Sequence, residues 1–125
     1  MPIDATLPYD DNNIFARILR DEIPSQRVYE DDWAVAFHDI VAQAATHILV
    51  IPRGPYVSWD DFSERASAQE IAGFVRAVGH VAREQGLVAS GYRLLANTGK
   101  HSGQEVPHLH VHLFGGQPLG PMLAR

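Results

Sequence analysis

Apolar residues recur at helical spacing in two stretches of the chain. A short helix is predicted after Asn12 and Asn13, which are good N-cap residues, and Pro24 is expected to close it. A long helix is predicted after Ser67, because Ser67 and Glu70 have the spacing of a capping box. The apolar helix faces comprise Ile14, Phe15, Ile18 and Leu19 in the first helix, and Ile71, Phe74, Val75, Val78, Val81 and Ala82 in the second.

Five further stretches have the residue pattern of β-strands, namely residues 27–30, 33–38, 47–51, 92–97 and 108–114. The first two flank Asp31 and Asp32, so they are predicted to form a hairpin with a tight acidic turn. Strands that follow one another are joined by short connections except where the long helix intervenes. This order favours an α+β domain with an antiparallel sheet of about five strands, one long helix and one short helix.

The composition is typical of a single globular domain. The chain has 125 residues, of which 46% are hydrophobic and 20% charged, so we expect one core without disulfide or metal staples. It contains no cysteine, which excludes disulfides, cysteine nucleophiles and thiolate metal sites and agrees with a reducing compartment. The sequence shows neither a secretory signal nor an apolar run long enough to span a membrane. We therefore expect a cytoplasmic protein without a membrane partner.

The charge distribution argues against a nucleic-acid polymer as partner. The formal net charge is −5, and the ten basic residues are nine scattered arginines and Lys100. A protein that binds a phosphodiester backbone needs clustered Lys and Arg. Glycine-loop nucleotide folds are excluded too, because no Walker loop or Gly-x-Gly-x-x-Gly sequence follows a predicted strand. A small anionic ligand stays compatible, since a few imidazoles or backbone N–H groups can hold one phosphate.

The last predicted strand carries the main functional signal. Side chains alternate between the two faces of a strand, so even and odd positions of residues 108–113 point to opposite sides. The apolar set must face the core, which leaves three imidazoles side by side on the other face, where burial without partners is costly. The two sets are His108, His110 and His112 on one face, and Leu109, Val111 and Leu113 on the other.

Two interpretations of this row of histidines compete. In a metal site, three ligands from one strand would be strained, because positions i and i+4 lie about 13 Å apart. His110, one neighbouring histidine and a carboxylate from another strand would fit an ion better. In a catalytic row, one ring attacks a ligand, one donates protons and one fixes orientation. Histidine suits this role because its unperturbed pKa lies near neutrality, so nucleophile and acid forms can coexist.

Residues 108–114, His-Leu-His-Val-His-Leu-Phe, resemble the sequence motif of the histidine-triad (HIT) family. This resemblance implies a HIT-like fold. Over about residues 12–124 the chain resembles the histidine-triad nucleotide-binding (Hint) branch, and its bacterial members most. The resemblance rests on residues 14–19 (Ile-Phe-Ala-Arg-Ile-Leu), 22–24 (Glu-Ile-Pro), 36–40 (Ala-Phe-His-Asp-Ile), 46–52 (Thr-His-Ile-Leu-Val-Ile-Pro), 91–93 (Gly-Tyr-Arg), 97–99 (Asn-Thr-Gly), 103–104 (Gly-Gln) and 115–123 (Gly-Gly-Gln-Pro-Leu-Gly-Pro-Met-Leu).

This resemblance implies a hydrolase that cleaves the P–N bond of purine nucleoside phosphoramidates and releases a nucleoside monophosphate and an amine. His110 would attack the α-phosphorus and become transiently nucleotidylated, while His112 would hydrogen-bond the phosphoryl oxygens. His108 and His47 would complete the cluster that orients the phosphate. No metal or other cofactor is implied. Two alternatives stay open, a dinucleoside polyphosphate hydrolase and a nucleotide-binding regulatory protein whose hydrolysis is incidental.

The resemblance also implies a nucleoside pocket. Its residues would be Phe15, Ile18, Phe37 and Ile40 around the purine, Asp39 at the ribose, and Asn97, Gly103, Gln104 and Glu105 beside the phosphate and the leaving group. Animal members carry a serine where this chain has Glu105, and a carboxylate there would favour an amino or cationic leaving group. Pro107 occupies a position that is usually aromatic, and it has no N–H to donate.

Residues 1–11 are expected to form a flexible segment, and residues 12–125 a single HIT domain that includes the tail, residues 117–125. The tail is too apolar for a free end, so it is expected to pack near the active sites and to affect leaving-group selection. A homodimer is expected through the long helix and residues 92–97, as the resemblance implies. No functional role is predicted for His38, His80 or His101, and Trp33 and Trp59 are interpreted as packing residues.

Overall fold

The computed structural model describes residues 1–124 and has the predicted α+β architecture; Arg125, the last residue of the predicted tail, lies outside the described residues. The elements in chain order are α1 (Ile14–Leu19), β1 (Arg27–Glu30), β2 (Ala34–His38), β3 (Thr46–Pro52), α2 (Trp59–Arg65), α3 (Ala68–Glu84), β4 (Arg93–Leu95) and β5 (Val111–Gly115). None of the helices in the described part of the chain is long and apolar enough to cross a membrane.

The five strands form one antiparallel sheet in the order β1-β2-β3-β5-β4, which confirms the predicted sheet. The last strand inserts between β3 and β4 instead of adding at an edge. In the β3–β5 register, Leu49 is paired with His112 and His47 with Phe114. His47 and His112 are therefore diagonal neighbours on one face, a separation that long side chains can bridge.

Successive side chains of the central strands point to opposite faces of the sheet, and both faces are apolar. One face packs against α3, and the other packs against α1. The α3 side is built from Ala34 and Ala36 of β2, Ile48 and Val50 of β3, and Val111 and Leu113 of β5, whereas Val35, Phe37, Leu49 and Ile51 lie on the α1 side. His47 and His112 alternate with the α3-side residues, so they share the α1 side of the sheet.

Both predicted helices are present, and their N-terminal signals are confirmed. The Asn13 side chain accepts a hydrogen bond from the Ala16 N–H at 2.9 Å and caps α1. Ser67 and Glu70 form the predicted capping box at the start of α3. The first helix ends at Leu19, well before Pro24, because the chain turns at Asp21, whose φ of 61° lies in the left-handed region.

The structure adds a third helix, α2, that the sequence analysis did not identify. It has seven residues and opens with a capping box in which Ser58 and Asp61 exchange side-chain and backbone hydrogen bonds. Only Phe62 of this helix is buried, where it contacts the rings of Tyr56 and Phe74. A helix of two turns with one buried apolar residue has too weak a periodic signal to be read from sequence.

The last two strands are shorter than predicted. β4 comprises Arg93–Leu95 within the predicted residues 92–97, and β5 begins at Val111 within the predicted residues 108–114. His108 and His110 therefore precede β5 and do not belong to the strand. Their alternation with the core residue Leu109 nevertheless holds, because Leu109 packs on the α3 side and is 1% exposed.

Candidate active site

Four histidines converge on the α1 side of the sheet. His108 and His110 lie in the chain that leads into β5, His112 lies in β5, and His47 lies in β3. His108 is fully buried, His47 and His110 are 2% and 8% exposed, and His112 is partly exposed. Because burying a polar ring is costly unless it is hydrogen-bonded, the partners of each nitrogen define what the cluster can do.

A cavity of about 560 Å³ opens beside this cluster. His110 and His112 line it, while His108 and His47 lie in the adjoining layer and are hydrogen-bonded to them. All nine residues predicted to bind substrate also line it: Phe15, Ile18, Phe37, Asp39, Ile40, Asn97, Gly103, Gln104 and Glu105. The structure thus brings the predicted residues to one place, and their individual roles stay predictions.

The ring of His108 is clamped between two partners. Its Nε2 lies 2.9 Å from the carbonyl oxygen of Pro52, and its Nδ1 lies 2.6 Å from the hydroxyl of Tyr9. A carbonyl oxygen only accepts, so Nε2 carries the proton and Nδ1 accepts from the tyrosine. Both nitrogens are occupied, which leaves His108 nothing to offer a ligand directly.

His110 presents a free lone pair to the cavity. Its Nδ1 donates to the backbone carbonyl of His108 at 2.7 Å, so the neutral ring has its lone pair on Nε2. Within residues 1–124 every buried side-chain nitrogen or oxygen has a hydrogen-bond partner, and Nε2 has none, so it is open to the cavity. The ring also packs edge-on against Phe15, with ring centroids 4.9 Å apart. A fixed ring with an exposed lone pair is suited to nucleophilic attack.

In contrast to His110, which carries its proton on Nδ1, neutral His112 carries its proton on Nε2. The Gln43 N–H donates to Nδ1 of His47 at 3.1 Å, so the proton of neutral His47 is on Nε2. That Nε2–H lies 2.9 Å from Nδ1 of His112, which accepts it. Neutral His112 therefore carries its own proton on Nε2. The two cavity-lining rings thus differ: His110 offers a lone pair and His112 offers an N–H.

Burial lowers the pKa of all four rings. The pKa of His108 is lowered to about 4 by burial. The pKa of His112 is also lowered to about 4, first by burial and then by the neighbouring His110 and His47. Burial lowers the pKa of His110 and His47 in the same direction. Burial therefore favours the neutral form of all four imidazoles near neutrality in the free protein.

The structure also bears on the metal interpretation. Asp39, His47 and His112 each offer one ligand atom, and these atoms lie within 4.8 Å of one another. Two nitrogens bound to one tetrahedral Zn²⁺ are about 3.3 Å apart. The nearest His47 and His112 nitrogens are 2.9 Å apart and share a hydrogen bond, so an ion bound to these two atoms would replace that hydrogen bond.

Part of the cavity wall is apolar. Phe15 and Phe37 meet edge to face with ring centroids 5.6 Å apart, and Ile18 completes this buried wall. Ile40, in contrast, is 96% exposed at the rim. Asp39 is beside it: its Oδ1 accepts the Val41 N–H at 2.8 Å, and its Oδ2 lies 3.4 Å from His47 Nε2.

The polar end of the cavity is organised by Gln104, which is 1% exposed. Its amide nitrogen donates to the carbonyl of Val57 at 2.7 Å, and its amide oxygen accepts the Gly99 N–H at 2.9 Å. The backbone N–H of Gln104 is also used, by the Gly99 carbonyl. Gln104 therefore shapes the loop, and the side chain of Glu105, which is exposed, is the charged group at this end.

The tail folds back toward the same cluster. The Arg93 guanidinium donates to the carbonyls of Gly120 and Pro121 at 3.0 and 3.2 Å, and the Ala45 N–H donates to the Gln117 side chain at 2.7 Å. A second cavity, of about 550 Å³, lies between the tail and the site. Its lining includes His112, Asn97, Leu119, Met122 and Leu123.

Sequence reasoning missed two residues that fix the rings, Tyr9 and Gln43. Tyr9 is 99 positions from His108 in a segment without periodicity, and no local signal links the two. Gln43 acts through its backbone N–H, which any non-proline residue would supply. The segment that contains Tyr9 was expected to be flexible; in the structure its Ile3 N–H also donates to the Gln104 carbonyl at 2.7 Å.

The fold and the site together indicate the class of this protein. An open antiparallel sheet carries a row of three histidines, and a fourth histidine, His47, is hydrogen-bonded to one of them. The HIT domain model matches residues 20–119, so the chain belongs to the HIT domain family, and the resemblance seen in the sequence is confirmed.

Individual relatives agree with this assignment. The chain is 61% identical over 117 residues to an uncharacterised 13.2 kDa HIT-like protein of Azospirillum brasilense, covering 94% of this chain and 96% of the relative. It is 46% identical over 114 residues to the purine nucleoside phosphoramidase of Escherichia coli K12, covering 91% and 95%. Its fold is similar to that of a HIT family hydrolase from Clostridium thermocellum, with a TM-score of 0.83, 36% identity and coverage of 92% and 99%.

Proposed function

We propose that this protein hydrolyses purine nucleoside phosphoramidates, with His110 as the nucleophile. The observation that carries the proposal is the pair of opposite proton arrangements: His110 has its Nε2 lone pair open to the cavity, whereas His112 has an Nε2–H. The coarser class, a nucleotide hydrolase of the HIT type, is supported by the family match and by the phosphoramidase relative.

The reaction takes two displacements at phosphorus. In the first, His110 Nε2 forms a bond to the α-phosphorus and the P–N bond to the amine breaks. His112 Nε2–H supports the phosphoryl oxygens. The bound phosphate raises the pKa of the neighbouring rings, since its negative charge favours imidazolium, and a ring so protonated gives the leaving amine its proton. In the second, water attacks phosphorus, the bond to His110 breaks, and the water's proton returns to an imidazole.

The cavity supports the purine nucleoside part of the proposal. Phe15, Ile18 and Phe37 form the apolar wall for the base, and Ile40 at the rim would close over it. Asp39 has accepting lone pairs beyond those used by Val41, so it can take the ribose hydroxyls. Asn97, Gly103, Gln104 and Glu105 also line the cavity. In the proposal, Asn97 and the backbone of Gly103 and Gln104 hold the phosphate, and Glu105 faces the leaving group.

A homodimer is part of the proposal. The α3 face and β4 leave an exposed apolar groove of about 580 Å³ on the side of the sheet away from the histidines. Four of its large side chains are solvent-exposed: Trp59, Val75, Tyr92 and Leu94. Exposed apolar patches of this kind mark interaction surfaces, and a short edge strand such as β4 is suited to a two-fold contact.

The test is a comparison of turnover on adenosine phosphoramidate with turnover on a diadenosine polyphosphate, under conditions that retain the intermediate for intact-mass analysis. The proposal predicts faster cleavage of the phosphoramidate and an adduct of one nucleoside monophosphate. Preference for the polyphosphate would establish the dinucleoside alternative, and tight binding without turnover the regulatory one. EDTA should leave the rate unchanged; loss of activity that Zn²⁺ restores would favour the metal interpretation.

A further inference from the structure

The hydroxyl of Tyr9 reaches the innermost histidine of the site from outside the sheet. It lies 2.6 Å from Nδ1 of His108, and the two rings meet edge-on with centroids 5.6 Å apart. The Pro52 carbonyl occupies Nε2 on the other side of the ring. Tyr9 therefore supplies the second half of the clamp, and its hydrogen bond completes the Nε2–H form of a ring that has no solvent exposure.

His108 transmits this clamp to His110 through its own backbone. The carbonyl of His108 accepts the Nδ1–H of His110 at 2.7 Å, and that bond places the lone pair of His110 on Nε2. The peptide that contains this carbonyl is also held at its other end, because the Leu109 N–H donates to the Tyr56 carbonyl at 2.8 Å. A displacement of the His108 ring reaches the carbonyl through the Cα atom that the two share. The path from Tyr9 to His110 thus contains one side-chain hydrogen bond and one backbone hydrogen bond.

Tyr9 is itself held in place by the chain on both sides. After it, the Asp10 carbonyl accepts the Asn13 side-chain amide at 2.7 Å, immediately before α1. Before it, the Ile3 N–H donates to the Gln104 carbonyl in the loop at the polar end of the cavity. Residues 3–10 therefore link this loop, His108 and the start of α1.

We propose that Tyr9 is a positioning residue for the nucleophile: its hydroxyl keeps His108 in the Nε2–H form and thereby holds the carbonyl to which His110 donates. This inference rests on the proposed function, in which His110 attacks phosphorus. It assigns a role in the reaction to a segment outside the residues 20–119 that the HIT domain model matches.

Removing the Tyr9 hydroxyl has a specific consequence, because it leaves Nδ1 of His108, a buried acceptor, without a donor. In Tyr9→Phe the Nδ1 of His108 has lost its donor, so the ring relieves the cost by moving or by exchanging its proton, and either change disturbs the His110 bond. Tyr9 does not line the cavity, so the change removes no group that could contact the base or the ribose. We expect kcat to fall roughly ten-fold and KM to change less than about two-fold.

The matched control is Tyr29→Phe. This change also removes one tyrosine hydroxyl, which donates to Asp31 at 2.8 Å in the turn between β1 and β2, and Tyr29 does not line the cavity. Each variant loses the hydrogen bonding of one tyrosine hydroxyl, so their melting temperatures should fall by similar amounts. Only Tyr9→Phe should lose kcat. Equal kcat in the two variants would overturn the proposal.

Imidazole ¹⁵N NMR gives a readout that does not depend on turnover. The wild type should show His108 protonated at Nε2 alone, and Tyr9→Phe should show a mixture or a shifted His110 signal. A wild-type His108 protonated at Nδ1 would refute the role of Tyr9 outright. If the wild type failed to cleave phosphoramidates while these signals were as expected, the proposed function would fail, and the link between Tyr9 and His110 would stand.

Discussion

The backbone carbonyl of His108 lies 2.7 Å from Nδ1 of His110, and this contact decides which nitrogen of the His110 ring keeps a lone pair. A carbonyl can only accept, so His110 must donate from Nδ1 and keep its lone pair on Nε2. Residue His112, two positions along, has the reverse arrangement, because its Nδ1 accepts from His47. Neighbouring histidines of one motif therefore have different chemistry, although the sequence presents them as equivalents.

His110→Gly should abolish the covalent step. We expect turnover to fall by about three or more orders of magnitude, while nucleoside monophosphate still binds because the other contacts remain. Steady-state kinetics and calorimetric binding of the monophosphate measure the two effects. His101→Gly, at an exposed histidine, is the control and should retain full activity. Near-normal turnover by His110→Gly would remove His110 from the role of nucleophile.

Stability should decrease as the pH falls from 6.5 toward 4, partly because of His108. Its pKa is lowered to about 4 by burial, from 6.5 in the unfolded chain, so in this window the unfolded state takes up a proton that the folded state refuses. From about pH 8 upward both states are neutral and the effect is absent. Between pH 7 and pH 5 this ring alone should lower the free energy of unfolding by about 2 kcal/mol.

Urea unfolding at several pH values measures this slope. His108→Asn removes the titrating ring, so its free energy of unfolding should fall less between pH 7 and pH 5 than that of the wild type, whatever its stability at pH 7. His101→Asn changes an exposed ring and should keep the wild-type slope. Parallel pH dependence in all three proteins would show that the His108 ring is not the group that resists protonation.

Asp39 is predicted to recognise the ribose. Charged hydrogen bonds are typically worth about 1.5 to 3 kcal/mol, so a 2′-deoxy substrate should lose roughly ten- to 150-fold in kcat/KM on the wild type. Asp39→Ala should shrink that difference. Changing both the substrate and the residue forms a cycle in which general damage to the fold cancels. If wild type and variant discriminate equally, Asp39 does not contact the ribose.

The homodimer is predicted to use the groove between α3 and β4. Light scattering should give about twice the chain mass of 13.8 kDa. Leu94→Glu places a charge in the groove and should shift the protein toward the monomer mass. Val88→Glu is the matched control, because Val88 is also exposed but lies outside the groove lining. A monomeric wild type would refute this prediction.

The tail is predicted to influence which amine leaves. Leu119, Met122 and Leu123 share a cavity with His112 and Asn97, so the tail forms part of the surface on that side of the phosphate. Deleting residues 117–125 should change the ranking of phosphoramidates that differ only in their amine, measured as kcat/KM ratios. The same ranking before and after the deletion would show that the tail has no part in selection.

Much of the fold was predictable because local signals agreed with the global arrangement. The acidic turn between β1 and β2, the capping box of α3 and the alternation of residues 108–113 each have a physical cause within a few residues. What the sequence could not supply was strand order: the insertion of β5 beside β3 depends on long-range pairing, and it is this pairing that brings His47 to His112. The end of α1 also differed, because Asp21 turns the chain before Pro24 can act.

The candidate site was predictable in its members more than in its chemistry. All of the predicted residues gather around one cavity, but the proton positions depend on the Pro52 carbonyl, the His108 carbonyl and the Gln43 N–H, which sequence patterns do not reveal. The neutral state of the rings likewise follows from burial in the folded protein. Tyr9 has no signal of its own, since one aromatic residue in a polar segment is unremarkable.

The groups that set the proton positions of the site histidines also determine how the protein tolerates amino-acid substitution. Three of the five groups are main-chain groups, so amino-acid substitution leaves these polar atoms in place wherever the backbone path is kept. Neighbouring side chains at the cavity rim can then vary, while the assignment of lone pair and N–H to the two cavity-lining rings, His110 and His112, stays the same. The Tyr9 hydroxyl and the His47 ring are the exceptions, and at these two positions a side-chain change outside the cavity lining can alter the proton positions of the row.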